Sequence, residues 1–245
     1  MGSEVCRLVV EQPDMELVGG VEAKGHRLVG TKLGTGTVGS DLSAVIAGAD
    51  VVADFSTADA SVAGCRLTAL AGKGFVCGVT GLSPTQRNAL QDCGRQIPVV
   101  YEPNFSVGVS VLGTLVAEAS SRLGPDYDVE VIETHHRMKR DAPSGTAARL
   151  VEILKAGAGR ARVVHGRQGA VGEKPKFEIG VSSIRTGGVI GEHTVVFGCA
   201  GERLELTHKA ESRAAFATGV VAAVRFLRGR APGFYSIEDV LASPH

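Results

Sequence analysis

The chain has 245 residues, of which 44% are hydrophobic and 21% are charged, and this composition is typical of a folded globular protein. Its 26 lysines and arginines equal its 26 aspartates and glutamates, which argues against a broad basic surface for nucleic acid or an anionic membrane. Five scattered cysteines without a C-x-x-C pair argue against a disulfide framework and a zinc knuckle, so they favour a reducing compartment.

The sequence contains no candidate membrane span or leader peptide. The most apolar stretch, residues 107–119, is interrupted by Ser110, Gly113 and Thr114 and is too short to cross a bilayer. The start of the chain lacks a basic segment followed by a long apolar one. We therefore expect a cytoplasmic protein with neither a membrane nor nucleic acid as its partner.

The first part of the chain alternates short strand-like runs with helix-like segments. The predicted strands are residues 16–22, 51–55, 75–79 and 98–102. The predicted helices are residues 40–47, 58–72 and 84–95, with N-cap candidates at Thr57 and Ser83. This alternation predicts an α/β fold whose first domain is a Rossmann-like, doubly wound parallel sheet.

From about Tyr127 the pattern changes and predicts a second, α+β domain. A helix is expected to begin after Ser144, and the other segments are extended. The predicted strands are residues 128–134, 176–185, 193–199 and 203–208. Because few helices separate these strands, they are expected to form an open mixed or antiparallel sheet.

Two further segments complete the predicted organisation. Residues 159–173, with a G-R-x-R run and several glycines, are interpreted as a long loop, more consistent with a solvated surface than with a lid. Residues 211–228 are predicted to form a helix whose apolar face packs back on the first domain. The predicted division is a first domain at 1–104, a second at 105–213 and the returning C-terminal helix at 214–245.

The chemically richest window of the chain is H-H-R-M-K-R-D-A-P-S-G-T, residues 135–146. Its first half offers two imidazoles and three cations, a suitable surround for an anionic substrate that must be protonated. Its second half predicts a helix start, because Pro143 precedes Ser144, a preferred N-cap. The backbone N–H groups of Gly145 and Thr146 would then point outward and could hold a carboxylate. On chemistry alone, a solvated basic loop is the more ordinary interpretation.

The longer string E-T-H-H-R-M-K-R-D-A-P-S-G-T-A, residues 133–147, resembles the signature of the dihydrodipicolinate reductase family, also named 4-hydroxy-tetrahydrodipicolinate reductase. Further blocks occur in the family's order: G-V-T-G at 78–81, P-N-F-S-V-G-V at 103–109, I-R-T-G-G-V-I-G-E-H-T at 184–194 and L-T-H-K-A-E-S-R at 206–213. The resemblance therefore extends along nearly the whole chain.

The resemblance implies an activity, an assembly and a role for each domain. The activity is the NAD(P)H-dependent reduction of 4-hydroxy-tetrahydrodipicolinate to tetrahydrodipicolinate in lysine and diaminopimelate biosynthesis. Residues 1–104 would bind the dinucleotide and residues 105–213 the substrate. The sheet of the second domain would build a homotetramer.

The resemblance also implies roles for individual residues. His135 would protonate the reduced ring, and Lys139 would be a second catalytic proton donor. The residues implied to bind the dicarboxylate substrate are His136, Gly145, Thr146 and Arg213. These residue types suit the reaction, because hydride addition places negative charge on the ring and a nearby imidazolium neutralises it.

The hydride would come from NADH or NADPH. The predicted cofactor contacts lie at strand ends, where ligands bind in such sheets: Glu22, Gly78, Val79, Thr80, Glu102, Pro103, Asn104 and Phe105. Glu22 could accept hydrogen bonds from the adenosine ribose, and an ordinary strand-end carboxylate is an equally good interpretation. Ala23 stands where many relatives carry arginine, so NADH is expected at least as much as NADPH. Val79 and Glu102 replace the usual threonine and alanine, which a backbone contact would tolerate.

A dinucleotide fold normally begins with a strand and a glycine-rich turn that holds the pyrophosphate. This sequence shows neither, since Met1-Gly2 resembles only the end of the family's G-x-x-G-R-M-G turn and residues 3–11 are predicted to form the following helix. Loss of a central strand would leave its neighbours unpaired. We therefore expect the natural protein to begin upstream, and in-frame upstream codons would test this.

Two other functions stay open at this point. A catalytically impaired remnant would bind a dicarboxylate through the second domain but would lack the pyrophosphate loop. A metal hydrolase would need ligands from the histidines and one aspartate, which are His135, His136, Asp141, His193 and His208. Their spacing forms neither H-E-x-x-H nor a cysteine cluster, so no metal site is expected.

Overall fold

The computed structural model describes residues 1–157, 159 and 162–243, so part of the segment interpreted as a loop at 159–173 lies outside the described residues. Contacts within the chain divide it into two compact units. The first comprises Met1–Val107 and Arg213–His245, and the second is Gly108–Ser212. Within the described part of the chain, no helix is long and apolar enough to cross a membrane.

The elements of the N-terminal part, in chain order, are α1 (Gly2–Val10), β1 (Gly20–Val21), β2 (Lys32–Leu33), β3 (Gly36–Gly39), α2 (Leu42–Ile46), β4 (Val51–Asp54), α3 (Ala58–Leu70), β5 (Gly74–Cys77), α4 (Pro84–Cys93) and β6 (Pro98–Tyr101). The elements that follow are α5 (Val107–Leu123), β7 (Asp128–His135), α6 (Gly145–Ala156), β8 (Arg162–His165), β9 (Glu178–Arg185), β10 (Gly191–Gly198), β11 (Arg203–Ala210), α7 (Ala214–Leu227), β12 (Gly233–Tyr235) and α8 (Ile237–Ala242).

In the first unit, parallel strands form a sheet in the order β12-β6-β5-β4. Helices cover both of its faces. Phe75 and Val99 belong to an apolar cluster with α3 and α4, whereas Val76 and Val100 pack with α1, α7 and α8. Because successive residues of a strand point to opposite faces, this arrangement confirms the predicted doubly wound, Rossmann-like sheet.

The strand predicted at residues 16–22 is much shorter than expected. Only Gly20–Val21 forms a strand, which pairs in parallel with β3, while β2 pairs antiparallel with β3. Ahead of it, Leu17 accepts a hydrogen bond from Thr35 N–H in the β2–β3 turn (2.9 Å) instead of continuing a ladder. The paired glycines 19 and 20 weaken the strand, because they supply no side chains for packing.

The second unit is built on a sheet in the order β11-β10-β7-β9-β8. The central strand β7 runs parallel to β9 and antiparallel to β10, which confirms the predicted open mixed sheet. Apolar residues of α5 and α6, among them Val116 and Leu150, pack with Val129, Val131 and Val195 of the sheet. One face of the sheet is thus covered by helices from its own unit.

Two elements of the second unit differ from the sequence-based expectation. Helix α5 occupies Val107–Leu123, where the sequence was interpreted only as an apolar stretch. Residues Arg162–His165 form strand β8, although they fall in the segment interpreted as a loop. This short strand pairs with the edge of β9, so its extended form depends on a partner that is distant in sequence.

Candidate functional site

The candidate site begins with the alternation of β7. Val129, Val131, Glu133 and His135 are buried, and the residues between them are more exposed. Side chains two residues apart in a strand point to the same face, so Glu133 and His135 lie side by side on the face that packs against the helices. Glu133 is 0% exposed and His135 is 8% exposed.

The Glu133 carboxylate receives hydrogen bonds from three directions. His135 Nδ1 lies 2.6 Å from Oε2, the Ser144 N–H donates to Oε1 (3.1 Å), and the Arg185 guanidinium donates to both oxygens (2.8 and 2.7 Å). Burial by itself would raise the pKa of Glu133, but the hydrogen bonds from Arg185 and then His135 outweigh it and lower the pKa to about 2. Glu133 is therefore a buried carboxylate in its charged form.

The ring of His135 is held by this carboxylate and by its neighbours in the sheet. The ring of His193, on β10, contacts it edge to face with centroids 5.2 Å apart. A Cβ added at Gly191 would lie 3.1 Å from His135 Nε2. Burial lowers the pKa of His135, Glu133 opposes that effect, and the charges of Lys139 and Arg185 reinforce it.

The loop after β7 carries the predicted Lys139. Its Nζ forms an ion pair with Asp141 Oδ1 (2.9 Å), and its backbone N–H donates to the carbonyl of His136 (3.0 Å). The Asp141 carbonyl in turn accepts a hydrogen bond from Arg185 Nη2 (2.6 Å). Arg185, at the end of β9, therefore donates hydrogen bonds both to Glu133 and to the loop that carries Lys139.

The predicted helix start is present immediately after this loop. Ser144 is the N-cap of α6, and its Oγ accepts the Ala147 N–H (3.2 Å). His193 Nε2 lies 2.9 Å from the same Oγ. Gly145 opens the helix and is exposed, with no described atom within 4 Å of a Cβ built there. An exposed helix start with a positive dipole end is a ready site for a carboxylate.

Arg213, the remaining predicted substrate residue, belongs to the first unit. It is the N-cap of α7 and is exposed. The structure thus places His135, His136, Lys139, Gly145 and Thr146 in one stretch of the second unit, and Arg213 in the first.

The predicted cofactor residues lie at strand ends of the first unit. Residues 78–80 follow β5 and, with Met1 and residues 55–58, line a pocket of about 320 Å³. Met1 is also the N-cap of α1. A helix N-terminus beside the carboxyl ends of parallel strands is the arrangement that binds phosphate groups in such sheets. The residues present therefore fit a dinucleotide at this edge.

The other predicted cofactor residues follow β6 and β1. The Glu102 N–H donates to the carbonyl of Cys77 (3.1 Å), which places residues 102–105 next to the loop at 78–80. Glu102 and Phe105 are buried, at 3% and 2% exposure. Glu22 is exposed directly after β1, and its N–H donates to the carbonyl of Gly39 (3.0 Å).

The turn Asp54–Phe55–Ser56, at the end of β4, is held by the Asp54 side chain. Asp54 Oδ1 accepts the Ser56 N–H (2.8 Å), and its Oδ2 is buried without a hydrogen-bond partner among the described residues. Among the described residues of both units, no group of three or more His, Cys, Asp or Glu residues is arranged to hold a metal ion.

Comparison with known proteins decides the family. A family model described as "Dihydrodipicolinate reductase, N-terminus" matches residues 1–105, and one described as "Dihydrodipicolinate reductase, C-terminus" matches residues 108–241. The chain belongs to the dihydrodipicolinate reductase family. This confirms the resemblance drawn from the sequence blocks.

Relatives in the family are similar over nearly their whole length. The 4-hydroxy-tetrahydrodipicolinate reductase of Anaeromyxobacter dehalogenans is 44% identical over 98% of this chain and 93% of its own. That of Myxococcus xanthus is 43% identical with the same coverage. The dipicolinate-bound dihydrodipicolinate reductase from Paenisporosarcina sp. TG-14 superposes with a TM-score of 0.79 at 24% identity, covering 96% of this chain and 92% of its own, which shows the shared fold.

Several residues of the candidate site were present in the sequence blocks without a predicted part in it. These are Glu133, Arg185, Gly191 and His193, and also Ser144, which was predicted only as an N-cap. The period-two pattern of residues 128–135 could have paired Glu133 with His135. Arg185 and His193 could not be placed in the same way, because their proximity depends on the register of β9 and β10 against β7.

Proposed function

We propose that this protein is a 4-hydroxy-tetrahydrodipicolinate reductase. The reaction consumes 4-hydroxy-tetrahydrodipicolinate, NAD(P)H and a proton, and it yields tetrahydrodipicolinate, NAD(P)⁺ and water. Membership of the family and two relatives above 40% identity along nearly the whole chain support this activity. The observation that carries the proposal is the buried Glu133–His135 pair next to the exposed start of α6.

In this proposal the second unit binds the diacid and supplies protons. The N–H groups of Gly145 and Thr146 at the start of α6 hold one carboxylate, and His136 assists them. His135 protonates the ring as negative charge develops there, and Lys139 is the second proton donor. Arg213 is proposed to hold a further carboxylate, because a guanidinium matches a carboxylate in geometry and charge.

When bound, the nicotinamide supplies the hydride. We propose that the pyrophosphate lies near the N-terminus of α1 and that the loops after β5 and β6 contact the cofactor. The proposed contacts are Glu22, Gly78, Val79, Thr80, Glu102, Pro103, Asn104 and Phe105. NADH is expected to bind at least as well as NADPH, since Ala23 offers no charge to a 2′-phosphate. Fluorescence titration with each dinucleotide measures this preference.

The assembly and location belong to the same proposal. We propose a homotetramer built through the second unit, supported by the sheet face opposite α5 and α6, where Ile132, Thr194 and Val196 are half-buried and Ile184 is 45% exposed. We also propose a cytoplasmic enzyme, supported by the free state of all five cysteines. Sedimentation of the purified protein measures the assembly.

A second candidate is an impaired protein that binds a dicarboxylate without turnover. It is favoured by one observation: among the described residues, β1 and β3 are not joined to the sheet that contains β4. The strand and glycine-rich turn expected ahead of α1 stay a prediction, which the upstream codons test. Binding of dipicolinate, the ligand named for the Paenisporosarcina protein, without binding of either dinucleotide would favour this candidate.

The proposed function is tested with purified protein, freshly formed substrate and either NADH or NADPH. Wild-type protein should oxidise the dinucleotide, and His135→Gln and Lys139→Ala should each lower kcat by about tenfold or more, because each removes a proton donor. His165→Gln, an exposed histidine of the same unit, is the matched control and should keep its activity. A folded wild-type protein that oxidises neither dinucleotide would overturn the proposal.

A further inference from the structure

Resting on the proposed function, we propose that Glu133 is the positioning residue of this site: its one carboxylate orients His135 so that Nε2 faces the substrate, and it anchors the start of α6. Gly191, which has no side chain, leaves the approach to His135 Nε2 open. Neither residue is proposed to donate a proton or to touch the substrate. Each acts through the geometry of His135.

The tautomer of His135 follows from the charge of its partner. A deprotonated carboxylate can only accept hydrogen bonds, and Glu133 is held in that form by Arg185. The short contact between Glu133 Oε2 and His135 Nδ1 (2.6 Å) therefore places a proton on Nδ1. In the neutral ring Nε2 is then bare, and in the imidazolium Nε2–H is the proton that can leave toward a substrate.

The second oxygen of the same carboxylate reaches the substrate-binding end of the site. Oε1 accepts the backbone N–H of Ser144, the N-cap of α6 (3.1 Å). One side chain thus fixes both the proposed acid and the helix start proposed to hold a carboxylate. A displacement of Glu133 would move the two groups together, and general acid catalysis requires the donor within hydrogen-bond reach of its target.

The glycine at position 191 is explained by the same geometry. A Cβ there would lie 3.1 Å from Nε2 and 3.4 Å from Cδ2 of His135. The contact with Nε2 is tighter than ordinary van der Waals contact, so a side chain at this position would cover the atom assigned to proton donation. Gly191→Ala should therefore lower kcat while leaving the Nδ1–H tautomer in place.

Charges from several elements face the ring of His135. Lys139 in the following loop and Arg185 on β9 oppose its protonation, and Glu133 is the anion that favours it. The ring of His193 on β10 contacts the His135 ring edge to face. Replacing Glu133 by the neutral glutamine leaves the cations uncompensated. The pKa of His135 should then fall, and activity that requires the imidazolium should decline at a lower pH than in the wild-type protein.

The test compares Glu133→Gln with Glu130→Gln in the full-length protein. Glu130 lies on the same strand and pairs with Lys174 (2.7 Å) and Arg167 (2.9 Å), away from His135, so it controls for loss of an ion-paired carboxylate. Nitrogen-15 NMR of the histidines reports the tautomer and titration of His135 without any turnover. Steady-state kinetics against pH reports kcat and KM separately.

Three results are expected for Glu133→Gln. The Nδ1–H tautomer is no longer dominant, the pH profile of kcat/KM descends about one pH unit or more earlier, and kcat near neutral pH falls about tenfold or more with a smaller change in KM. Glu130→Gln should match the wild-type protein in all three. If Glu133→Gln fails to fold, Glu133→Gln/Arg185→Gln replaces the ion pair by neutral amides and takes its place.

The inference is overturned if wild-type His135 carries its proton on Nε2, or if Glu133→Gln leaves the titration of His135 unchanged. It is also overturned if the variant loses activity only to the extent that Glu130→Gln does. A wild-type protein that shows the Nδ1–H tautomer but reduces no substrate would instead contradict the proposed function and retain the positioning geometry. The two failures are therefore distinguishable.

Discussion

Glu133 carries a full charge in the interior of the second unit, where an unpaired carboxylate would be strongly unfavourable. The charge is tolerated because Arg185 meets both oxygens and two further N–H groups complete the set. Removing one partner of such a pair leaves the other uncompensated, which is more destabilising than replacing both. In return, the charged Glu133 carboxylate holds the ring of His135 in a fixed position.

His193 provides a prediction about pH and stability at the residue scale. Burial, reinforced by the nearby charge of His135, lowers its pKa to about 4 from 6.5. Between those values the unfolded chain is protonated at this residue and the folded chain is not, so stability must fall as the pH drops from about 6.5 to about 4. The loss is on the order of 3 kcal/mol.

Urea unfolding of wild-type protein and His193→Gln at several pH values between about 4 and 7 checks this expectation. The variant should show a shallower decline, while His165→Gln, exposed on the same unit, should decline like the wild-type protein. Some slope should persist, because the pKa values of His135 and His208 are also lowered by burial. An unchanged slope in His193→Gln would contradict the assignment.

Individual residues could be predicted from the sequence where the signal was local. Ser144 was identified as an N-cap because proline and helix-forming residues surround it, and the structure confirms the cap. Glu133 was not singled out, because a glutamate in a charged segment is usually exposed. Its burial depends on Arg185, which lies 52 positions further along the chain.

At the scale of elements, capping and periodicity predicted most of the first unit. Helix α4 begins at Pro84 after a capping box of Ser83 and Gln86, a purely local device. Strands β1 and β8 were less well predicted, since each is extended only by pairing with a distant partner. Helix α5 was missed because its apolar residues and glycine weaken the amphipathic pattern on which prediction depends.

Helix α7 offers a prediction at this scale. A Cβ at Gly219 would lie 1.8 Å from the Phe105 carbonyl oxygen, so Gly219→Ala must move either the helix or the loop at 102–105. We expect a loss of about 1–3 kcal/mol of stability and weaker dinucleotide binding. Denaturant unfolding and cofactor titration measure the two effects.

The matched control for α7 is Gly113→Ala in α5. A Cβ there would meet only the end of the Ile153 side chain at 3.3 Å, which can move. The substitution should be neutral or should stabilise by up to about 1 kcal/mol, because alanine favours a helix. Equal stability of the two variants would contradict the close approach of Gly219 to Phe105.

At the scale of the whole molecule, the two units carry different parts of the proposed chemistry. The first presents open strand ends and a helix start suited to a dinucleotide. The second holds an oriented histidine, a lysine and an exposed helix start suited to a diacid. The sequence blocks predicted the family, and hence this pairing of chemistries, while the hydrogen-bond partners within each unit required the fold.

The central claim is that hydride passes from a nicotinamide to the ring of this diacid, with a proton supplied by the protein. The most direct measurement supplies NADH or NADPH with deuterium in place of both hydrogens at nicotinamide C4, and detects tetrahydrodipicolinate by mass spectrometry. The account predicts that each product molecule carries one deuterium and that His135→Gln forms it more slowly. Product without deuterium, or substrate left unreduced by folded protein with both dinucleotides, would contradict it.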